Sequence, residues 1–246
     1  MKFNLFSNET FLKHYISDKQ DGNLGFRTNS QPQTVLENRR HLARKLNIEL
    51  QQTVVMQQEH TANVYLVTTA DKGKGALEKV TALSNTDGLI TNKPEIVLMA
   101  QGADCPLLLF FEPQKKVFGV AHSGWKGFRA GIIPNMLQKF EKEYGCAPET
   151  IIVGITPSAE KCCYEVGSEL VREFTSFPQN LFINRNNRIF FDLKGAIKHQ
   201  LLSLRVQPEN IESINICTIC SENFYSFRRE KENAGRFALL AWLDKC

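Results

Sequence analysis

Three side chains of this 246-residue chain, at the ends of apolar, strand-like runs, are of the types that can bind a soft metal: His60, Cys105 and His122. His60 lies between two such runs. Cys105 lies in the turn Gly102-Ala103-Asp104-Cys105-Pro106, and His122 ends a run and opens the segment His122-Ser123-Gly124-Trp125-Lys126-Gly127. Cys105 and His122 bracket Leu107 to Ala121, which reads as strand, turn and strand. Paired as a hairpin, those strands bring their outer ends together, and with them the thiol and the imidazole. One thiolate and two imidazoles suit zinc, and three protein ligands leave a fourth position for water or substrate, whereas structural sites usually close with four. Such a centre keeps a net positive charge and favours an anionic or polar substrate. A plainer reading exists. Free cysteine is among the most buried residue types, and a lone histidine is commonly a hydrogen-bonded core or surface residue. Spacing alone does not choose between the two.

The neighbouring residues extend the chemistry. A glycine-rich turn opening a helix presents unpaired N–H groups to an anion. Ser123, Gly124 and Lys126, with Arg129 beyond them, therefore suit a phosphate or carboxylate, although such a turn can also be a simple connection. Asp104 reads as a general acid/base, as a partner that orients a ligand histidine, or as a turn cap. Asp87-Gly88 is a turn signal and by itself nothing more. Cys217-Thr218-Ile219-Cys220 has metal or redox spacing, but no second C-x-x-C accompanies it, which favours a structural pair. Of the adjacent Cys162 and Cys163, at most one is expected to face a site, and Cys146 and Cys246 read as incidental. Arg228, Arg229 and Arg236 surround Phe224-Tyr225-Ser226-Phe227, a pattern that can clamp a base or phosphate, or pack its aromatic rings and leave its charges in water.

The elements that must position these groups follow from periodicity. Thr34-Val35-Leu36-Glu37 reads as a capping box, with a helix from Val35 to about Leu46 that places Leu42 and Leu46 on one face. Short runs rich in Val, Ile, Leu and Phe predict strands at Thr53–Gln57, Asn63–Thr69, Glu95–Ala100, Leu107–Phe111, Val117–Ala121, Thr150–Ile155 and Ile211–Cys217. Helices are expected at Gly127–Tyr144, stopped by Gly145, and at Val166–Phe174 and Leu193–Leu204. Strands cluster as well as alternate with helices, so the expected fold class is α+β, a single domain over residues 1–246 with clustered mixed β-sheets flanked by helices.

Composition narrows the function. With 42% hydrophobic and 23% charged residues the chain is not disordered. At this mass, roughly 73% of the unfolded surface can be buried, enough for a core without disulfide staples. No run approaches the ~18 apolar residues of a membrane helix, and the N-terminus lacks the continuous apolar stretch of a signal peptide. A cytoplasmic location follows as an expectation, with the seven cysteines acting as thiols or ligands. The net charge of +4 comes without a basic stripe, so a nucleic-acid partner is not expected.

The segments DGLITNKP, GADCPLLLF, GVAHSGWKGFRAGI, PSAEKCCYEVG and FYSFRRE…AGR resemble one bacterial and eukaryotic family. It was first described as multicopper polyphenol oxidase, or laccase-domain, proteins, and is now regarded as zinc-dependent purine nucleoside phosphorylases. Some members are called peptidoglycan editing factors. The resemblance runs from Asn23-Leu24-Gly25 to Leu243, and ADC and HSGWKG are its most specific parts. It implies metal ligation by His60, Cys105 and His122. It also matches Asn38-Arg39 to a pair whose arginine lies near the active site, which suits phosphate recognition. The sequence departs from the family pattern at Pro106, directly after Cys105, at Thr156, and in an abbreviated Gly-rich N-terminal segment. No departure removes a ligand.

The implied function is phosphorolysis of adenosine, inosine, guanosine and S-methyl-5'-thioadenosine, plus deamination of adenosine. It would use Zn²⁺ rather than copper, with Asp104 as proton shuttle and Arg39, Ser123, Gly124 and Lys126 on phosphate, in a monomer. Two alternatives use the same residues: a metal-independent Cys105–His122 hydrolase, and a cell-wall precursor editing or binding protein. A multicopper oxidase needs more histidines than the five present.

Overall fold

The computed structural model describes residues 1–244, and Cys246 lies outside the described residues. The most apolar segments, Leu107–Glu112 and Val117–His122, pair antiparallel with Leu107 opposite His122, as the hairpin reading requires. Every residue of both strands is buried. A strand covered on both faces needs apolar groups on both, which explains its unbroken apolar run.

These strands are central in a six-stranded sheet of order Ile211–Ser213, Ile152–Ile155, Leu107–Glu112, Val117–His122, Gly88–Thr91, Val64–Leu66. The outermost pair at each edge is parallel and the inner pairs are antiparallel. A second sheet of four strands runs Leu12–Ile16, Phe237–Leu243, Val97–Gly102, Thr53–Val55, with only the last pair parallel. A small third sheet joins Phe182–Arg185, Arg188–Phe191 and Glu165–Val166.

Alternation along the central strands decides the layering. Leu107, Leu109, Phe111, Phe118 and Val120 pack against Leu98, Ala100, Phe237, Leu239 and Ala241 of the four-stranded sheet. Leu108, Phe110, Val117 and Ala121 face the other way, onto Ile132, Ile133, Met136 and Phe140 of the helix Ile132–Tyr144 and Ile197 and Leu201 of the helix Leu193–Ser203. The helix Pro32–Leu46 covers the outer face of the four-stranded sheet, where Leu42 meets Val97, Met99 and Leu240. The architecture is thus the expected α+β class, with mixed sheets between helical layers. Among the described residues, no helix is long and apolar enough to cross a membrane.

Several boundaries differ from the sequence reading. The first helix starts at Pro32, with Gln31 as its cap, so Thr34-Val35-Leu36-Glu37 lies inside the first turns and is no capping box. Proline's fixed φ and missing N–H suit the first helical position better than any side-chain cap. The long helix expected from Gly127 is two helices, Trp125–Ala130 and Ile132–Tyr144, because Gly131 adopts φ 98° and ends the first. The strand expected at Ile211–Cys217 stops at Ser213, and Cys217 instead forms an isolated bridge with Ser158. The strands Leu12–Ile16, Gly88–Thr91 and Phe237–Leu243 were not expected from sequence.

His14 shows how the N-terminal strand is secured. Its Nε2 accepts the Phe3 N–H at 2.8 Å, and its ring packs against both Phe3 and Phe6, which also touch each other. Burial, helped by the charges of Lys2 and the N-terminus, lowers its pKa from 6.5 to about 4. The unfolded chain therefore binds this proton before the folded one does. Stability is full above pH 6.5 and falls as the pH drops towards 4, by up to about 3 kcal/mol. Melting of wild type and His14→Asn across this range checks it, since the variant should lose most of that slope.

Candidate metal centre and its cavity

The two sheets exchange the chain at the loop between Gly102, which ends one strand, and Leu107, which begins another. Cys105 lies in that crossing, beside the end of the hairpin where His122 sits. His60 comes from the loop after Thr53–Val55 and takes a left-handed φ of 61°. The donor atoms of His60, Cys105 and His122 all lie within 4.8 Å of one another. Cys105 Sγ is 3.8 Å from His60 Nε2, and the two imidazole rings meet edge to face at 4.8 Å.

Space at this point is tight. A methyl group on Gly124 would stand 2.7 Å from His60 Cδ2 and 2.8 Å from Cys105 Sγ. Only a glycine lets the backbone pass this close to the three donors.

Asp87 organises the centre. It is fully buried, and His122 Nδ1 lies 2.8 Å from Asp87 Oδ1. With Nδ1–H donating to the carboxylate, the His122 Nε2 lone pair is left for a cation. Asp87 Oδ2 accepts the N–H groups of Glu59 and Thr61 at 3.0 and 2.8 Å and the Thr61 hydroxyl at 2.9 Å, while Oδ1 also accepts the His60 N–H at 3.2 Å. One carboxylate thus fixes the ring of one imidazole and the loop that carries the other. The sequence reading saw only a turn in Asp87-Gly88. An aspartate opening an apolar strand was the available signal.

Charge follows this geometry. Burial alone would raise the Cys105 thiol, but the charge and hydrogen bonds of His122 and His60 outweigh it and hold the thiol low, at about 6. Burial alone would lower His122, but Cys105 and Asp87 outweigh it and raise it to about 9. The side chains therefore favour a thiolate even without a cation.

The three donors lie in the wall of a cavity of about 730 Å³. Trp125, Tyr164 and Phe227 give it aromatic faces, and Arg27, Arg228 and Arg236 give it positive charge. Arg228 lies over the Tyr164 ring, 5.6 Å from its centre, and donates to the Glu165 carbonyl at 3.0 Å. Arg228 and Arg236 belong to the aromatic and arginine pattern read from the sequence. Phe227 belongs to that pattern too, whereas Tyr164 and Arg27 had not been singled out as site residues.

Other residues expected to act at the site are engaged differently. Arg39 is on the buried face of its helix, with Val35, Leu42 and Ala43. Its guanidinium donates to the carbonyls of Leu24, Gly75 and Ala76 at 2.6–2.8 Å and lies over the Phe26 ring, so it ties loops together and is not free for phosphate. The helical spacing of residue 39 from Leu42 and Leu46 was a legible warning. Arg39→Ala is expected to leave the Michaelis constant for phosphate unchanged and to cost roughly 2–4 kcal/mol of stability by orphaning those carbonyls. Phosphate titration and thermal melting check the two halves of that expectation.

Lys126 is exposed, with its ammonium 5.6 Å from the centre of the Trp125 ring, and it does not line the cavity. Ser123 is buried. Its N–H donates to the Pro106 carbonyl, which removes one donor from the expected anion cradle, and its hydroxyl has no partner. Asp104 does line the cavity, but its carboxylate accepts the Thr218 hydroxyl at 2.7 Å, the Ser226 hydroxyl at 3.0 Å and the Arg228 N–H at 2.6 Å. Three donors make it a loop organiser rather than a proton shuttle.

Against known proteins, a family profile described as "Multi-copper polyphenol oxidoreductase laccase" matches residues 13–244. The chain is 33% identical over 219 residues to the protein named Purine nucleoside phosphorylase YlmD of Bacillus subtilis, covering 87% of this chain and 79% of that one. It is 29% identical over 208 residues to Adenosine deaminase RL5 of an unknown prokaryotic organism, covering 82% and 79%. The crystal structure of YlmD from Geobacillus stearothermophilus superposes with a TM-score of 0.93 at 29% identity, covering 99% of this chain and 94% of that one. With the match spanning both sheets and all three donor positions, the chain belongs to the multi-copper polyphenol oxidoreductase laccase family.

Proposed function

We propose that the chain is a zinc-dependent purine nucleoside phosphorylase that also deaminates adenosine, with His60, Cys105 and His122 as metal ligands. The observation that carries this reading is the convergence of three donors, one of them oriented by Asp87, in the wall of a cavity lined by aromatic rings and arginines. Relatives named as purine nucleoside phosphorylases and as an adenosine deaminase support the substrate class.

The donors present fit a zinc ion, because two imidazoles and a thiolate match its preferred ligands and the set stays open on the cavity side. When bound, the ion would supply Lewis-acid chemistry, polarising an oxygen of phosphate or water. The chain's own residues would do the rest. Trp125, Tyr164 and Phe227 offer flat apolar faces to a purine. Arg27, Arg228 and Arg236 would hold phosphate near the sugar, lowering the entropic barrier to its attack on the anomeric carbon. Phosphorolysis then yields free base and sugar 1-phosphate. This reassigns the phosphate contacts from Arg39 and Lys126 to cavity arginines.

A phosphate-dependent assay of adenosine, inosine, guanosine and S-methyl-5'-thioadenosine on metal-quantified protein tests it. Release of base that needs phosphate and scales with bound zinc is the expected result. No turnover by zinc-loaded protein would sink it. A second reading has one observation in its favour: the Cys105 and His122 donor atoms lie within 4.8 Å of one another, with His122 held by Asp87, which is also the arrangement of a nucleophile, its base and an orienting carboxylate. That reading gives His60 no role.

A further inference from the structure

A second cluster of donors lies outside this centre. Cys162, Cys163, Cys217 and Cys220 are free thiols whose four sulfurs all lie within 4.8 Å of one another. Cys220 Sγ is 3.0 Å from Cys163 Sγ and 3.6 Å from Cys162 Sγ. Four sulfurs bound to one zinc at about 2.3 Å stand roughly 3.8 Å apart, so little adjustment separates this arrangement from a tetrathiolate site. The expectation that only one of the adjacent cysteines could face a site does not hold. Lys161–Cys163 is a turn, where successive side chains need not point to opposite faces as they do in a strand. The missing partner of Cys217-x-x-Cys220 is that vicinal pair.

Thiolates this close repel one another, and a dication removes that conflict by replacing their protons, which pass to solvent. Among the described residues one unpaired cation, Arg185, stands beside the cluster and offsets part of the negative charge of a loaded site, whereas the charge of Lys194 is balanced by Glu160. Arg185 donates to the carbonyls of Lys161 and Cys162, and the buried Lys194 ammonium is held by Glu160 and the Ile214 carbonyl.

We propose that Cys162, Cys163, Cys217 and Cys220 bind one zinc ion as a closed structural site, separate from the His60–Cys105–His122 centre. Four protein ligands leave no place for substrate, so this ion staples two segments rather than reacting. What it staples is the cavity wall. Thr218, between the paired cysteines, donates to Asp104 Oδ1 at 2.7 Å, Ile219 and Tyr164 line the cavity, and Arg229 donates to the carbonyls of Thr218 and Ile219 at 2.8 Å each.

Elemental analysis of the full chain, purified under reducing conditions without added metal, tests this independently of any enzymatic activity. Wild type is expected to carry two zinc ions per chain. Cys217→Ser and Cys220→Ser should each carry one, and Cys105→Ala should keep one. Should the serine variants fail to fold, cobalt substitution of wild type and Cys105→Ala decides the matter. Intense thiolate-to-cobalt charge-transfer bands that persist in Cys105→Ala support the tetrathiolate. A single zinc per chain that vanishes in Cys105→Ala overturns the proposal, as would iron at the cluster or a Cys163–Cys220 disulfide in the reduced, native protein.

Discussion

Cys105→Ala is expected to remove the metal from the His60–Cys105–His122 centre and to lower both nucleoside phosphorolysis and adenosine deamination by at least about a hundredfold, a loss of roughly 2.7 kcal/mol or more in barrier lowering. The thiolate is the only anionic donor of the three, and two neutral imidazoles alone hold zinc weakly. His122→Ala should do the same, because its ring also carries the link to Asp87. His60→Ala separates the two mechanisms. A metal enzyme loses zinc and activity with this ligand, whereas a Cys105–His122 hydrolase keeps most of its rate. Metal content per chain, measured beside both activities, decides between them.

The next largest effect is expected at Asp87. Asp87→Asn keeps the volume but gives up the charge and offers an amide that cannot accept from every present donor. The carboxylate serves His122 Nδ1, the Thr61 hydroxyl and the backbone N–H groups of Glu59, His60 and Thr61. Loss of such an outer partner typically costs ten- to a hundredfold in metal affinity. The expected result is therefore zinc binding weakened by about that factor, with activity restored by excess zinc. A competition titration with a chelator measures it. Unchanged affinity would mean that the Asp87 contact only packs the loop.

Much of the architecture was written in local pattern. The apolar runs read at Leu107–Phe111 and Val117–Ala121 pointed to the hairpin that the structure forms, and the hairpin brought Cys105 to His122. The residues joined to the site by long contacts were harder to see. Asp87 looked like a turn because its partners lie on the loop of His60 and at the end of the strand of His122. Arg39 looked like a phosphate ligand by resemblance, while its place on the helix had already turned it inward. Strands such as Leu12–Ile16 and Phe237–Leu243 escaped notice because pairing with each other, rather than local propensity, defines them.

Residue types and their spacing were enough to single out the three candidate donors and the α+β class, since hydrophobic periodicity and donor identity are properties of short segments; choosing the metal reading over a plain one took the family resemblance. Which arginines reach the cavity, which carboxylate orients His122, and how two separate cysteine pairs come to lie within 4.8 Å of one another were decided only by the packing of the sheets and loops. Those are distances between atoms far apart along the chain, and no local pattern encodes them.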